Sequence, residues 1–210
     1  MMFTRLLLVC LPAVFGPAVL AAESFDGEFR PTRLTYEVST GDLGWRTSGP
    51  FTGITKNFRP NPIPYRMTVT TAGIAHRLPT DRPILRNMEF VHSVVWSAVT
   101  GGPENHWGGL VTGVRYSYQL PPAWHTSLFV SWQGGVGAID SSGLRYAQER
   151  DLTFTFLNAV GVRVQLTATM GLDVQLLGQH ISNGWQTHPS EGIDCSGLSL
   201  AWHYRPPPRR

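Results

Sequence analysis

The strongest constraint in this sequence is an alternation of apolar and polar residues with a period of two. In the segment 152–166, the apolar row is Leu152, Phe154, Phe156, Val160, Val162, Val164 and Leu166. The residues between them are mostly polar or small: Thr153, Thr155, Gly161, Arg163 and Gln165. Successive side chains of a strand point to opposite faces, so this pattern predicts strands whose two faces meet different surroundings. Eight such strands are predicted, at about 32–40, 63–78, 86–99, 108–119, 124–137, 152–166, 167–181 and 193–204.

The links between these strands separate two all-β folds that alternation alone does not distinguish. A soluble β-barrel turns its apolar face inward, whereas a membrane barrel turns it outward to lipid. The predicted links alternate between long (about 41–62, 100–107, 138–151 and 182–192) and short. Tight periplasmic turns and longer external loops are typical of bacterial outer-membrane barrels. We therefore predict an eight-stranded antiparallel up-and-down transmembrane β-barrel of outer-membrane type, with a soluble secreted β-barrel binding protein as the alternative.

In a membrane barrel, the charged residues are expected in the lumen and the aromatic residues on the outer face. The polar face of the predicted strands carries Glu37, Glu89, Arg115, Arg163 and Asp173. Charges of both signs can pair in a narrow lumen, where an unpaired charge is costly. The outward face is predicted to carry aromatic side chains, as a girdle at the membrane interface requires. These are Tyr36, Tyr65, Tyr116, Tyr118, Trp124, Trp132, Trp202 and Tyr204.

The N-terminal residues predict export. A short basic start is followed by the apolar run 6–15 and by small residues at 19–22, the plan of a secretory signal peptide. We expect a signal peptide at 1–22, a β-barrel domain at 23–204 and a disordered basic tail at 205–210. The expected location is the bacterial outer membrane.

Composition argues against several classes of partner and cofactor. A net charge of +3 is too small to indicate nucleic acid. Beyond the predicted signal peptide only Cys195 remains, so no disulfide is expected within the domain. The seven histidines lack the spacing of a zinc site. We expect no cofactor and no metal.

The stretch GQHISNGWQTHPSEGID, residues 178–194, contains the residue types of a hydrolytic triad. His180 and Ser182 are two positions apart, so a strand places them side by side on its outward face. A hairpin centred near Thr187 brings Asp194 opposite His180. Serine needs a neighbouring base to act as a nucleophile, and a carboxylate fixes the histidine tautomer. The candidate catalytic residues are therefore His180, Ser182 and Asp194.

An ester carbonyl also needs hydrogen-bond donors for its developing negative charge. Asn183 directly follows the serine, and the backbone N–H groups around Gly184 are close to it in sequence. Ser, Asn, His and Asp are also common in turns for conformational reasons alone. The alternative hypothesis is thus a non-catalytic small outer-membrane barrel with a structural or adhesion role.

The motif resembles that of the lipid A deacylases of the PagL type, also called acyloxyacyl hydrolases. Their His-x-Ser-Asn segment is matched by His180, Ser182 and Asn183. Their Gly-hydrophobic-acid segment, which opens the last strand, is matched by Gly192, Ile193 and Asp194. The best-known members have Glu at the acidic position, where this chain has Asp194.

The resemblance implies an outer-membrane esterase that hydrolyses an ester-linked acyl chain of lipid A by a metal-independent Ser-His-acid mechanism. Expected partners are lipid A or lipopolysaccharide as the substrate and the surrounding outer-membrane lipids, with a homodimer as a further option. No nucleic acid is expected.

Overall fold

Eight antiparallel strands form where the sequence alternates. In chain order they are β1 (Leu34–Trp45), β2 (Arg66–Arg77), β3 (Met88–Gly101), β4 (His106–Gln119), β5 (Thr126–Ile139), β6 (Leu152–Gln165), β7 (Met170–Ser182) and β8 (Ile193–Tyr204). One turn of 3-10 helix, Leu85–Asn87, precedes β3. In the part of the chain described, no helix has the length and apolar character to cross a bilayer. This computed structural model describes residues 34–45, 65–77, 80, 82, 84–121, 124–140, 152–184 and 192–207.

Each strand pairs with the next along the chain, and β8 pairs with β1 to close the barrel. In β1, for example, Val38 lies opposite Ala72 of β2 on one side and Trp202 of β8 on the other. Closure leaves no sheet edge with unpaired backbone groups, which a hydrocarbon environment requires. The predicted eight-stranded up-and-down barrel is confirmed. Below, the lower end is the one where β1 starts and β8 ends, and the upper end is opposite.

The predicted strict alternation of long and short links is wrong at one hairpin. The link between β3 and β4 at the upper end is only 102–105, because both strands extend further than expected. It is shorter than the lower link 78–87, which contains the helical turn. The carboxylate of Asp140 holds this hairpin by accepting hydrogen bonds from the backbone N–H groups of Asn105 and His106, each at 3.0 Å.

Several strand boundaries also differ by a few residues from the sequence prediction, and two of the differences have a local cause. β7 begins at Met170 rather than 167, because the Thr167 hydroxyl accepts hydrogen bonds from the backbone N–H groups of Thr169 (3.3 Å) and Met170 (3.0 Å). This local bonding makes a turn where the alternating pattern continues. β1 runs to Trp45 instead of ending near residue 40, since Gly41, Asp42 and Leu43 pair with both neighbouring strands.

The two faces of the barrel decide between a soluble and a membrane protein. Large apolar side chains on the outside are exposed, with Leu110 at 63% and Val130 at 51%. All five charged residues predicted for the lumen are buried, with Glu89 and Asp173 at 1% exposure. A soluble fold would hide the first group and hydrate the second. The prediction of a lipid-facing apolar exterior is therefore confirmed, and the soluble alternative is wrong.

One residue of the predicted outward aromatic girdle is misplaced. Tyr65, just before β2, is 4% exposed, and its hydroxyl donates a 2.8 Å hydrogen bond to Glu104, which is also buried. Burial of a tyrosine is tolerated when its hydroxyl finds an acceptor. Tyr65 is in phase with the buried Met67 and Val69 of β2, so the period of two itself places its side chain in the lumen.

Buried charges of opposite sign pair across the lower half of the lumen. Arg163 binds Asp173 through two hydrogen bonds of 2.8 and 2.7 Å, and it also contacts Glu37 at 2.8 Å. Glu37 is shared with Arg115, whose Nη2 donates to it at 2.7 Å. Forked guanidinium–carboxylate contacts of this kind are the strong class of ion pair. The cluster links β1, β4, β6 and β7 from inside.

The boundaries of the three predicted segments stay predictions. Residues 1–33 and 208–210 lie outside the described residues, so the predicted signal peptide does too. The described part of the predicted tail, 205–207, has no regular secondary structure. Its first residue, Arg205, donates its backbone N–H to Thr169 at 2.7 Å.

We expect Arg163→Gln to destabilise the barrel by about 3–5 kcal/mol, because it removes the arginine partner of the buried Asp173 and one of the two arginines that bind Glu37. Urea unfolding in detergent micelles, followed by tryptophan fluorescence, measures the change. Arg66→Gln is the matched control, since Arg66 is an exposed arginine on the outward row of β2. Equal unfolding midpoints for the two variants would contradict this account of the lumen.

Candidate active site

Near the upper end, β7 and β8 carry the three residues of the candidate triad on the outside of the barrel. His180 and Ser182 continue the outward row of Leu172, Val174 and Leu176, and inward neighbours such as Gln179 and Ile181 are buried. The register of β7 and β8 sets His180 directly opposite Asp194. The predicted cross-strand pairing of the histidine and the acid is therefore present in the fold.

His180 and Asp194 are joined by a hydrogen bond of 2.9 Å between Nδ1 and Oδ1. An ionised carboxylate only accepts hydrogen bonds, so Nδ1 is the nitrogen that carries the proton. In the neutral ring, Nε2 then carries no proton and can act as a base. The side chains of His180 and Asp194 are 15% and 34% exposed, so the pair is partly shielded from its surroundings. This arrangement orients a histidine for proton transfer.

Ser182 lies two residues beyond His180 on the same half-buried outward row. Strand geometry separates the Cα atoms of such residues by about 6.5–7 Å, so their side chains are neighbours on one face of the strand. Across the β6–β7 pair, Ser182 lies opposite Phe154 and His180 lies opposite Phe156. The rings of Phe156 and His180 stack with centroids 6.3 Å apart. The pattern of alternation predicted both phenylalanines to be outward-facing, but it gave no sign that they flank the triad.

Gly192 leaves the space that the His180 ring occupies. A Cβ atom at this position would lie 2.6 Å from Cε1 and 3.3 Å from Nδ1 of His180. The first distance is shorter than van der Waals contact permits, so any larger residue displaces the imidazole. The sequence motif contains Gly192, but its packing role becomes visible only in three dimensions.

The two oxyanion candidates occupy different environments. The Asn183 side chain is completely buried, at 0% exposure, and continues the inward series of Gln179 and Ile181. Its amide group is therefore not beside Ser182 on the outward row. Gly184 has a φ of +65°, and a Cβ there would lie 2.7 Å from the Phe154 ring. Only the backbone N–H groups of Asn183 and Gly184 remain as candidates on these two residues.

Residues 185–191, which complete the loop between Ser182 and Asp194, lie outside the described residues. Within the described ranges, no group of three or more His, Cys, Asp and Glu side chains could hold a metal ion.

Comparisons of the sequence and of the fold with known proteins both find PagL. The family model described as "Lipid A 3-O-deacylase (PagL)" matches residues 70–203, which include both segments of the motif. The crystal structure of the outer-membrane enzyme PagL is similar to this chain with a TM-score of 0.51 and 14% identity, covering 80% of this chain and 97% of PagL. Neisserial surface protein A gives a TM-score of 0.49 at 8% identity, covering 82% and 96%. No curated protein matches the chain in sequence.

We expect Gly192→Ala to break the His180–Asp194 hydrogen bond by pushing the imidazole aside. The low-field Nδ1–H proton resonance of His180, observed by NMR in micelles, should disappear. Gly178→Ala is the matched control, because a Cβ at this outward glycine of β7 would meet nothing closer than 3.9 Å. Survival of the resonance in Gly192→Ala, or its equal loss in both variants, would contradict the packing argument.

Proposed function

This chain belongs to the lipid A 3-O-deacylase (PagL) family, and on that premise we propose that it hydrolyses an ester-linked acyl chain of lipid A with Ser182, His180 and Asp194 as a catalytic triad. Its fold and family indicate the bacterial outer membrane as its location. The observation that carries the triad is the 2.9 Å hydrogen bond between His180 and Asp194 on the lipid-facing wall. A polar pair on such a wall is expensive and is retained where it has a function.

The reaction begins with attack of the Ser182 hydroxyl oxygen on the carbonyl carbon of the acyl ester. His180 accepts the hydroxyl proton at Nε2 as the new C–O bond forms. Asp194 keeps the proton on Nδ1 and stabilises the imidazolium that results. Backbone N–H groups of Asn183 and Gly184 are the proposed donors to the negative carbonyl oxygen.

Collapse of the tetrahedral intermediate breaks the bond between the carbonyl carbon and the sugar oxygen. His180 donates its proton to that oxygen, so the deacylated lipid leaves as an alcohol. The acyl chain stays on Ser182 as an ester. Water then attacks this ester with His180 again acting as the base, which releases a free fatty acid and restores the serine hydroxyl.

The position of the site suits a substrate that never leaves the membrane. His180 and Ser182 lie toward the upper end, where the links 46–65 and 183–192 emerge. With periplasmic termini this end is external, so the triad is level with the leaflet that contains lipopolysaccharide. Phe154 and Phe156 offer an apolar surface beside Ser182. The family name specifies the 3-O-acyl chain, and we propose that position here. The homodimer stays a prediction.

We expect Ser182→Ala and His180→Gln each to lower acyl release by roughly 10⁴-fold or more, because members of a triad act as a unit. Mass spectrometry of lipid A from outer membranes that contain each variant measures the loss of one acyl chain. His92→Gln is the control, since His92 is an outward histidine of β3 that is hydrogen-bonded to Thr112 at 2.8 Å. It should leave the lipid A pattern of the unmodified chain unchanged.

If the unmodified chain and Ser182→Ala give the same lipid A pattern, the deacylase proposal fails. The non-catalytic barrel with a structural or adhesion role then becomes the preferred hypothesis.

We expect Asp194→Asn to reduce the rate by about 10⁴-fold while the barrel still folds, since an amide no longer holds the histidine in the required tautomer. Asp194→Glu should retain measurable activity because it restores the carboxylate found in the best-known family members. Rates of fatty-acid release in mixed micelles compare the two variants. A fully active Asp194→Asn would remove Asp194 from the proposed triad.

A further inference from the structure

A site on the outer wall of a membrane barrel has protein on one side only. Lipid tails offer no hydrogen bonds, so nothing on the lipid side supports the strand that carries His180 and Ser182. In enzymes generally, the residues behind a catalytic group hold it in a productive geometry. Here such support has to come through the sheet from the lumen.

Inside the barrel, a threonine hydroxyl donates a hydrogen bond to the backbone of the proposed catalytic histidine. The Thr155 hydroxyl on β6 donates to the carbonyl oxygen of His180 at 2.8 Å. Thr155 is 0% exposed and lies opposite Ile181, the residue between His180 and Ser182. It therefore contacts β7 from the lumen side, at the segment that carries both reacting side chains.

A second contact sets the direction of the Thr155 hydroxyl. The Gln179 side-chain nitrogen donates to the Thr155 oxygen at 3.3 Å, while the Gln179 oxygen accepts from the Ser97 hydroxyl at 2.8 Å. An amide nitrogen only donates, so Thr155 accepts there and its own hydrogen is available for the His180 carbonyl. Gln179 and Ser97 are 2% and 0% exposed. The relay thus runs in one direction, from β3 across the lumen to β7.

We propose that Thr155 is a positioning residue for the triad, acting through the His180 backbone rather than on the substrate. This inference rests on the proposed function, since it concerns the same reaction. The hydroxyl holds the β7 backbone so that the His180 ring keeps its hydrogen bond to Asp194 and presents Nε2 to Ser182. Loss of this contact lets the strand relax and misaligns the proton transfer, which affects the chemical step more than substrate binding.

The experiment compares three variants of the full-length barrel in mixed micelles of lipid A and detergent. Thr155→Val has nearly the same shape and removes the hydroxyl. We expect kcat to fall by about 5- to 50-fold with little change in KM, the cost of one buried hydrogen bond. Thr155→Ser keeps the hydroxyl and should restore most of kcat. Heat-modifiable electrophoretic mobility confirms that each variant folds.

Thr153→Val is the matched control on the same strand. Thr153 is also a 0% exposed, inward-facing threonine, but its hydroxyl accepts from the Trp107 ring nitrogen at 2.7 Å and has its other contact with β5. Its loss should leave kcat within about twofold of the unmodified chain if support of β7 is what matters.

If Thr155→Val does not fold, Gln179→Met replaces it. That variant keeps Thr155 but removes the donor that directs its hydroxyl, and kcat should fall by about 2- to 5-fold. The proposal is overturned if these variants retain full kcat, if Thr155→Ser is as impaired as Thr155→Val, or if Thr153→Val has the same effect. Absence of any Ser182-dependent deacylation by the unmodified chain would instead be a failure of the proposed function.

Discussion

Hydrogen bonding of the backbone in a medium without water is the constraint on which the rest of this structure depends. In lipid every N–H and C=O group has to find a partner within the protein, so the eight strands close on themselves. Closure creates two faces with opposite requirements. The outside becomes apolar and the narrow inside is filled, in part by the Arg163 and Arg115 ion pairs with Glu37. These buried charges are stable only as a paired set.

The same constraint explains how a hydrophilic site can exist on the lipid-facing wall. His180 and Asp194 are joined by a hydrogen bond of 2.9 Å, and Phe156 stacks against the imidazole. Gly192 makes room for the ring without adding side-chain bulk. Ser182 is brought beside them by the strand period alone. On the lumen side, the Thr155 hydroxyl donates a hydrogen bond to the His180 carbonyl oxygen. In the proposed mechanism, the reaction takes place on the outer face of the sheet, and Thr155 supports the reacting strand from its inner face.

Much of this was predictable from residue patterns, and the exceptions have physical causes. The alternation of apolar and polar residues identified all eight strands and the buried lumen charges. It is informative because a shift of one residue would turn every side chain to the opposite face of the sheet. The spacing of His180, Ser182 and Asp194 indicated a shared face for the same reason. Periodicity fails where the backbone leaves the strand, since Thr167 forms a turn in an apparently continuous pattern. Tyr65, by contrast, lies inward in phase with Met67 and Val69, so its outward assignment was an error of phase. The buried Asn183 side chain follows the period of two from Gln179 and Ile181, whereas the Thr155 contact depends on cross-strand register, which a single sequence does not supply.

We propose that Ser182 is a nucleophile activated by His180 at the membrane surface of the barrel. The most direct test of this proposal is covalent labelling of the folded barrel in micelles with an alkyl fluorophosphonate, followed by peptide mass spectrometry. We expect one adduct, on Ser182, and its loss in His180→Gln while the barrel remains folded. An adduct on another residue, or labelling of Ser182 that is unaffected by His180→Gln, would contradict the proposal.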